Sequence, residues 1–162
     1  MTLLEVIRTI ERAAAMQPAV AMIVENDVFR LNSYADARYG VFAWTQGRHR
    51  GNADSPEWLR YSFTFFYVDR LRNDIANQVE VQSVGMDVLQ NVLRILRDAG
   101  VEPESYEFQT FNQRFSDECA GVFCSAVLLV DAGSECAEDE NGGPFVMDGW
   151  ENVASDVIIR KF

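Results

Sequence analysis

Apolar residues recur at helical spacing in two stretches of the chain. In residues 2–16 they fall on one helical face, behind a Thr-x-x-Glu capping box. A second stripe begins at Val79 or Gln82 and ends at Asp98, and Gly100 follows as a helix stop. The pattern predicts an N-terminal amphipathic helix and a long central helix.

Short apolar runs and alternating patterns predict strands elsewhere. The clearest is Tyr61–Val68, where four aromatic side chains point to one side. The other predicted strands are Val20–Val24, Val28–Leu31, Tyr39–Trp44, Tyr106–Phe111 and Val122–Val130. The first two flank Asn26-Asp27, which favours a tight turn, so they form either a hairpin or a strand followed by a loop. A weaker signal at Val157–Ile159 indicates an arm that packs on this subunit or on a neighbour.

The order of these elements is a helix, several strands, a long helix and two strands, with no βαβ alternation. This order predicts an α+β fold, in which an antiparallel sheet carries the N-terminal helix and the long central helix on one face. The length of 162 residues suits one domain. Residues 1–130 form the α+β body, and residues 131–162 form an acidic loop and a C-terminal extension of the same domain.

Residues 45–58 are rich in Gly, Asn, Asp and Ser and contain Pro56, which predicts an exposed loop longer than usual connections. Within it, Arg48, His49 and Arg50 form a small basic patch. They serve either to solvate the loop or to dock against an acidic partner or a neighbouring subunit. His49 is the only histidine, and no G-x-S-x-G motif accompanies it, so the pattern argues against nucleophilic catalysis.

Other charged residues stand next to predicted strands. Asp69 and Arg70 close the aromatic strand, while Arg114 and Asp117 precede the most hydrophobic one. These four residues either cap strand ends and form ion pairs or contribute to an interface. The acidic run at 135–141 lacks the spacing of a calcium loop, and three cysteines match no zinc pattern. We therefore predict no catalytic, cofactor or metal site.

The net charge of −11 and the absence of a basic stripe argue against direct nucleic-acid binding. Thirteen of the 14 cationic residues are arginines, which indicates either GC-rich coding or large contacts with partners. No apolar run has the length of a membrane span, and the N-terminus lacks the features of a signal peptide. The odd number of cysteines, without a C-x-x-C spacing, favours folding in a reducing cytoplasm.

Three segments of the sequence resemble a known group of proteins. They are YGVFAWTQGRHR at 39–50, YVDRLRNDIANQVEVQSVG at 67–85 and FSDECAGVF at 115–123. The chain resembles small tail proteins of phages and prophages of Bacteroidetes, crAss-like phages included. Its element order also resembles the tail terminator and tail completion proteins of long-tailed phages, which are α+β domains that close into hexameric rings.

The resemblance implies a structural virion protein, folded in the bacterial host cytoplasm, that forms a homohexameric ring at the head-proximal end of the tail tube. Its partners would be further copies of itself, the tail tube protein and a head completion or connector protein, with no membrane and no sequence-specific nucleic acid. The expected contact residues are Arg48, His49, Arg50, Asp69, Arg70, Arg114 and Asp117. The alternatives are a head–tail connector, or a ligand-binding or enzymatic domain whose pocket is lined by the aromatic face of Tyr61–Tyr67.

Overall fold

The computed structural model describes residues 1–25, 39–72, 77–112 and 119–131, together with the backbone of residues 158–160. The helices are α1 (Leu3–Ala15) and α2 (Gln78–Asp98). The strands are β1 (Met22–Glu25), β2 (Val41–Asn52), β3 (Ser55–Arg70), β4 (Glu102–Asn112), β5 (Cys119–Asp131) and β6 (Ile158–Arg160). The predicted α+β fold, with an N-terminal and a long central helix, is confirmed. No helix in these ranges is long and apolar enough to cross a membrane.

The strands form one sheet in the order β4-β5-β3-β2-β1-β6. The three pairs among β4, β5, β3 and β2 are antiparallel, but β1 runs parallel to both β2 and β6. The sheet is therefore mixed, whereas the sequence pattern predicts an antiparallel one. A parallel pair needs a crossover connection of about a dozen residues or more, and the chain between Glu25 and Val41 is long enough for one. The predicted turn at Asn26-Asp27 and strand at Val28–Leu31 lie outside the described residues.

Both helices pack on one face of the sheet, which we call the covered face. Helix α1 begins with the predicted capping box: the Thr2 hydroxyl accepts from the Glu5 N–H, and the Glu5 carboxylate accepts from the Thr2 N–H. Helix α2 follows Asn77, whose side chain caps no helix N–H. Instead, Asn77 Oδ1 accepts from the Arg72 N–H at 2.7 Å and its Nδ2 donates to the Arg70 carbonyl, which ties the start of α2 to the end of β3.

The aromatic side of β3 forms the centre of the core. Tyr61, Phe63, Phe65 and Tyr67 are at most 7% exposed beneath the helices, as the alternation predicts. Gly85 of α2 lies above them, and a Cβ at this position would stand only 2.9 Å from Tyr67 Cδ1. The absence of a side chain at Gly85 therefore lets α2 approach the sheet closely.

The opposite face of the sheet, which we call the open face, has two unlike ends. At the level of β1 it carries a second buried apolar cluster that extends across the sheet, formed by Met22, Val24, Val41, Ala43, Val68, Phe111 and Cys119. At the other end the side chains are small and polar: Ser62 and Thr64 are half-buried and Ser125 is exposed. This polar end faces away from both helices.

The prediction of a loop over residues 45–58 is wrong, because the chain there forms a β-hairpin. Strand β2 continues to Asn52, turns through Ala53-Asp54 and returns in β3, with a bulge where Gly47 and Arg48 oppose a single residue. Both faces of this stretch are exposed, so its side chains need no alternation of polar and apolar residues, and the sequence lacks the strand signal.

Candidate functional site

The basic patch predicted from the sequence lies on β2, beyond the part of the strand that β1 covers. Arg48, His49 and Arg50 are all exposed, and the last two are directly opposite Tyr61 and Arg60 of β3. The His49 ring packs edge-on against Tyr61 at 5.1 Å, and its Nε2 lies 3.1 Å from Gln46 Oε1. These contacts hold the imidazole on the covered face and direct the two arginines toward solvent.

The outer edge of β2 is open along most of its length. Strand β1 pairs only with Val41–Trp44, so the backbone of Thr45–Asn52 has no strand partner on its outer side among the described residues. We call this segment, with its two arginines and its histidine, the basic edge. Open strand edges are templates for pairing with another chain.

The border of the sheet away from β1 and β6 is β4, which pairs with β5 on one side and has no described strand on the other. Its residues are mostly exposed, and Glu102, Glu104 and Glu107 give it an acidic character. We call this strand the acidic edge. Sequence reasoning missed it, although the run EPESYE, with three acids and no base, was a readable signal.

One ion pair crosses the open face near both edges. The Arg60 guanidinium donates two hydrogen bonds of 2.7 Å to the Glu104 carboxylate, spanning β5 between them. The hydrogen bond and the adjacent charge raise the pKa of Arg60 and lower that of Glu104. The pair leaves Glu102 and Glu107 as the acids of β4 that make no ion pair with a described residue.

Asp69 and Arg70 do not join this arrangement. They lie about nine residues further along β3 from the basic patch, roughly 30 Å at the usual rise per residue. Asp69 Oδ1 accepts from the Arg70 N–H at 2.7 Å, and the Arg70 guanidinium lies 4.4 Å from the centre of the Tyr39 ring. These contacts lie at the end of β3 that is far from the basic patch. Arg114 and Asp117 lie outside the described residues.

Two buried side chains of the core, Tyr67 and Cys124, are held in their neutral forms. Burial, followed by the charge of Asp69, raises the pKa of Tyr67 well above its usual value. Burial raises the pKa of the Cys124 thiol to about 12. Both side chains belong to the core, and neither is poised as a nucleophile or a base at neutral pH.

The aromatic side of Tyr61–Tyr67, which the alternative interpretation makes the lining of a ligand pocket, is buried beneath the helices and belongs to the core. The described residues do form an open groove of about 650 Å³ between α2 and β4, lined by Asp87, Arg94, Glu102 and Tyr106 among others. In the same parts of the chain, no cluster of three His, Cys, Asp or Glu residues could hold a metal ion.

No protein-family model matches the chain, and no curated protein is significantly similar to it in sequence. Among the described residues, the sheet therefore has two open stretches of strand edge with opposite charge. The basic one is the part of β2 beyond its pairing with β1, and the acidic one is β4, at the border of the sheet.

Proposed function

We propose that this protein is a structural component of a phage tail, a tail terminator that forms a homo-oligomeric ring at the head-proximal end of the tail tube. The observation that carries the proposal is the presence of two strand edges that are open among the described residues, Thr45–Asn52 of β2 and the outer side of β4. The resemblance of residues 67–85 and 115–123 to small phage tail proteins supplies the context.

Two different surfaces on opposite sides of a subunit favour head-to-tail association. Such contacts close into a ring when the rotation between copies fits, and otherwise they grow into a filament. A tail tube is a stack of rings whose last ring keeps an exposed binding surface. A terminating ring binds that surface and offers no equivalent one on its far side, which fixes the length of the tube.

The chemistry of the described residues agrees with an architectural role. The hairpin of β2 and β3 reaches past Trp58, where the described pairing of β3 with β5 begins, so its tip extends beyond the part of the sheet formed by the described residues. Projecting strands and arginine-rich edges are common means by which subunits join. Ring formation needs nothing more from this chain than shape and charge.

Electron microscopy of virions from a phage that lacks this gene tests the proposal. We expect headless tails of uncontrolled length, and restoration of normal virions when the wild-type gene is supplied in trans. Tails of normal length beside separate, filled heads would instead indicate a head–tail connector. Normal virions would overturn a role in the tail altogether.

A further inference from the structure

Strand β4 presents an unpaired backbone edge. Strand β5 occupies one side of it, and no backbone hydrogen bond from another described segment reaches the other side at residues 102–110. Helix α2 limits this stretch at its far end, where Gln82 Nε2 donates to the Phe111 carbonyl at 3.3 Å. The open stretch is therefore long enough to pair with an added strand of ordinary length.

The groove of about 650 Å³ between α2 and β4 lies directly beside this edge. Its lining includes the buried Leu93 as well as Pro103 and Tyr106. The Tyr106 ring is 48% exposed, although it packs against Phe108 with ring centres 5.6 Å apart. A half-exposed aromatic ring next to apolar neighbours can receive an apolar side chain from another chain.

The two faces of β4 differ in chemistry. Directly opposed residues of neighbouring strands project to the same side of a sheet. Tyr106 is opposite Ala126 of the core and therefore projects on the covered face, toward the groove. Glu107 is opposite Ser125, which is in turn opposite Thr64, so it projects on the open face. A strand added to β4 would thus meet a groove on one side and acidic residues on the other.

The acids on the open side select the kind of strand that fits. Glu102 stands in one row with Arg60, but the guanidinium of Arg60 is bound to Glu104. Glu102 and Glu107 therefore have no ion-pair partner among the described residues, and basic side chains in an added strand would complement them.

A second copy of this chain is a poor source of that strand. Two acidic edges repel each other. The basic edge of a second copy, with Arg48 and Arg50 opposite Glu102 and Glu107, would bring its own β1 against residues 108–111 of β4. The strand is therefore better supplied by a different protein.

We propose that β4 binds an extended segment of a different protein in which basic and apolar residues alternate. The segment adds to the sheet along residues 102–110. Its apolar side chains enter the groove beside Tyr106, and its basic side chains face Glu102 and Glu107. Backbone hydrogen bonds supply affinity, and the alternation supplies specificity. The inference deepens the proposed function and rests on it in one respect, that this chain joins other proteins of the tail.

A synthetic peptide of about nine residues in which Arg alternates with Val probes the site. Fluorescence anisotropy measures its binding to the full chain at physiological salt, and hydrogen exchange locates it. We expect binding, with slowed exchange confined to the amides of β4. Two control peptides, one with the same residues but all arginines in one block and one with methylated backbone nitrogens, should bind at least about tenfold more weakly.

Variants of the protein test the two faces separately. Glu102→Lys/Glu107→Lys should weaken binding of the alternating peptide at least about tenfold, because it reverses the charge that the arginines meet. Tyr106→Ala should weaken it about two- to tenfold through loss of the aromatic contact. The matched control is Asp54→Lys/Glu57→Lys, which makes the same change in charge at exposed positions of the β2–β3 hairpin and should bind as wild type does.

Equal binding of the alternating and block peptides, or slowed exchange outside β4, would overturn the inference. If a charge variant fails to fold by circular dichroism, the methylated peptide decides with the wild-type protein, since binding as strong as that of its parent excludes strand addition. Mass photometry tests the source of the strand: if the peptide disperses an assembly of the wild-type protein, a further copy occupies β4 and the assignment to a different protein is wrong. Electron microscopy of the phage that lacks the gene tests the proposed function independently of these outcomes.

Discussion

The two sides of strand β3 differ in both burial and polarity. Phe63 and Phe65 point to the covered face and are 2% and 0% exposed, while Ser62 and Thr64 point to the open face and remain half-buried. Because successive side chains of a strand alternate between faces, one segment serves two purposes. Its aromatic side packs against the helices, and its polar side faces away from them.

The same contrast divides the open face along its length. Near Val41 and Val68 it is buried and apolar, while at the level of the two edges it is polar and charged. Folding energy is therefore concentrated beneath the helices and beside β1. Substitutions at the polar end should change assembly and leave the fold intact, whereas substitutions in the core should unfold the subunit.

Truncation of Phe65 should give the largest effect. Phe65 packs against the rings of Phe42 and Phe63, with centroids 5.9 and 6.0 Å away. Phe65→Ala should lower the free energy of unfolding by about 3–5 kcal/mol, measured by urea denaturation. Its neighbour provides the control: Thr64→Ala should cost less than about 1 kcal/mol. Equal losses for the two variants would contradict the division between the faces.

A methyl group at Gly85 should have an intermediate effect. The added Cβ would lie 2.9 Å from Tyr67 Cδ1 and 3.1 Å from Val122 Cγ2, both held in the core. Overpacking of this kind costs about 1–3 kcal/mol, against a gain of about 1 kcal/mol in helix propensity. We therefore expect Gly85→Ala to lower the melting temperature.

The control for this variant is Ser83→Ala, an exposed position on the same helix. It gains helix propensity without a new contact, so the melting temperature should stay the same or rise slightly. If Gly85→Ala were as stable as Ser83→Ala, α2 would not be pressed against β3 in the way described here.

The smallest effect concerns the open face and depends on pH. Hydrogen bonding to Arg60 lowers the pKa of Glu104 below its usual value of 4.5. The stabilisation is therefore present above that value, where the unfolded carboxyl is also ionised, and is lost as the pH falls through the lower pKa of the folded state. The difference in melting temperature between wild type and Glu104→Gln should shrink from pH 7 to pH 3. A difference that is constant with pH would contradict the ion pair.

The sequence predicts those helices and strands that have one buried face and one exposed face. Helix α1 and the aromatic side of β3 carry strong periodic patterns because one face of each is buried. Residues 45–58 carry no such pattern, because both faces of the hairpin are exposed and its pairing comes from backbone hydrogen bonds. The predicted start of β4 at Tyr106 comes four residues late for the same reason, since Glu102–Ser105 is an exposed part of the edge strand.

The candidate site was predictable only in part. Arg48, His49 and Arg50 stand out in the sequence as a cluster, and the structure places them together on an open edge. Their relation to Glu102 and Glu107 depends on the strand order β4-β5-β3-β2 and on the registers between those strands. Residues about fifty positions apart in the sequence reach the same level of the sheet only through the pairing of these strands. Local spacing in the sequence does not predict that pairing.

Strand β6 reaches back to β1 across about 130 residues, pairing Ile158 with Met22. During synthesis the ribosome must therefore deliver almost the whole described chain before the outer side of β1 can be covered. Until then the nascent subunit carries an additional unpaired strand, which is a site for wrong pairing with other chains. The pairing that covers β1 can therefore form only after β6 has left the ribosome.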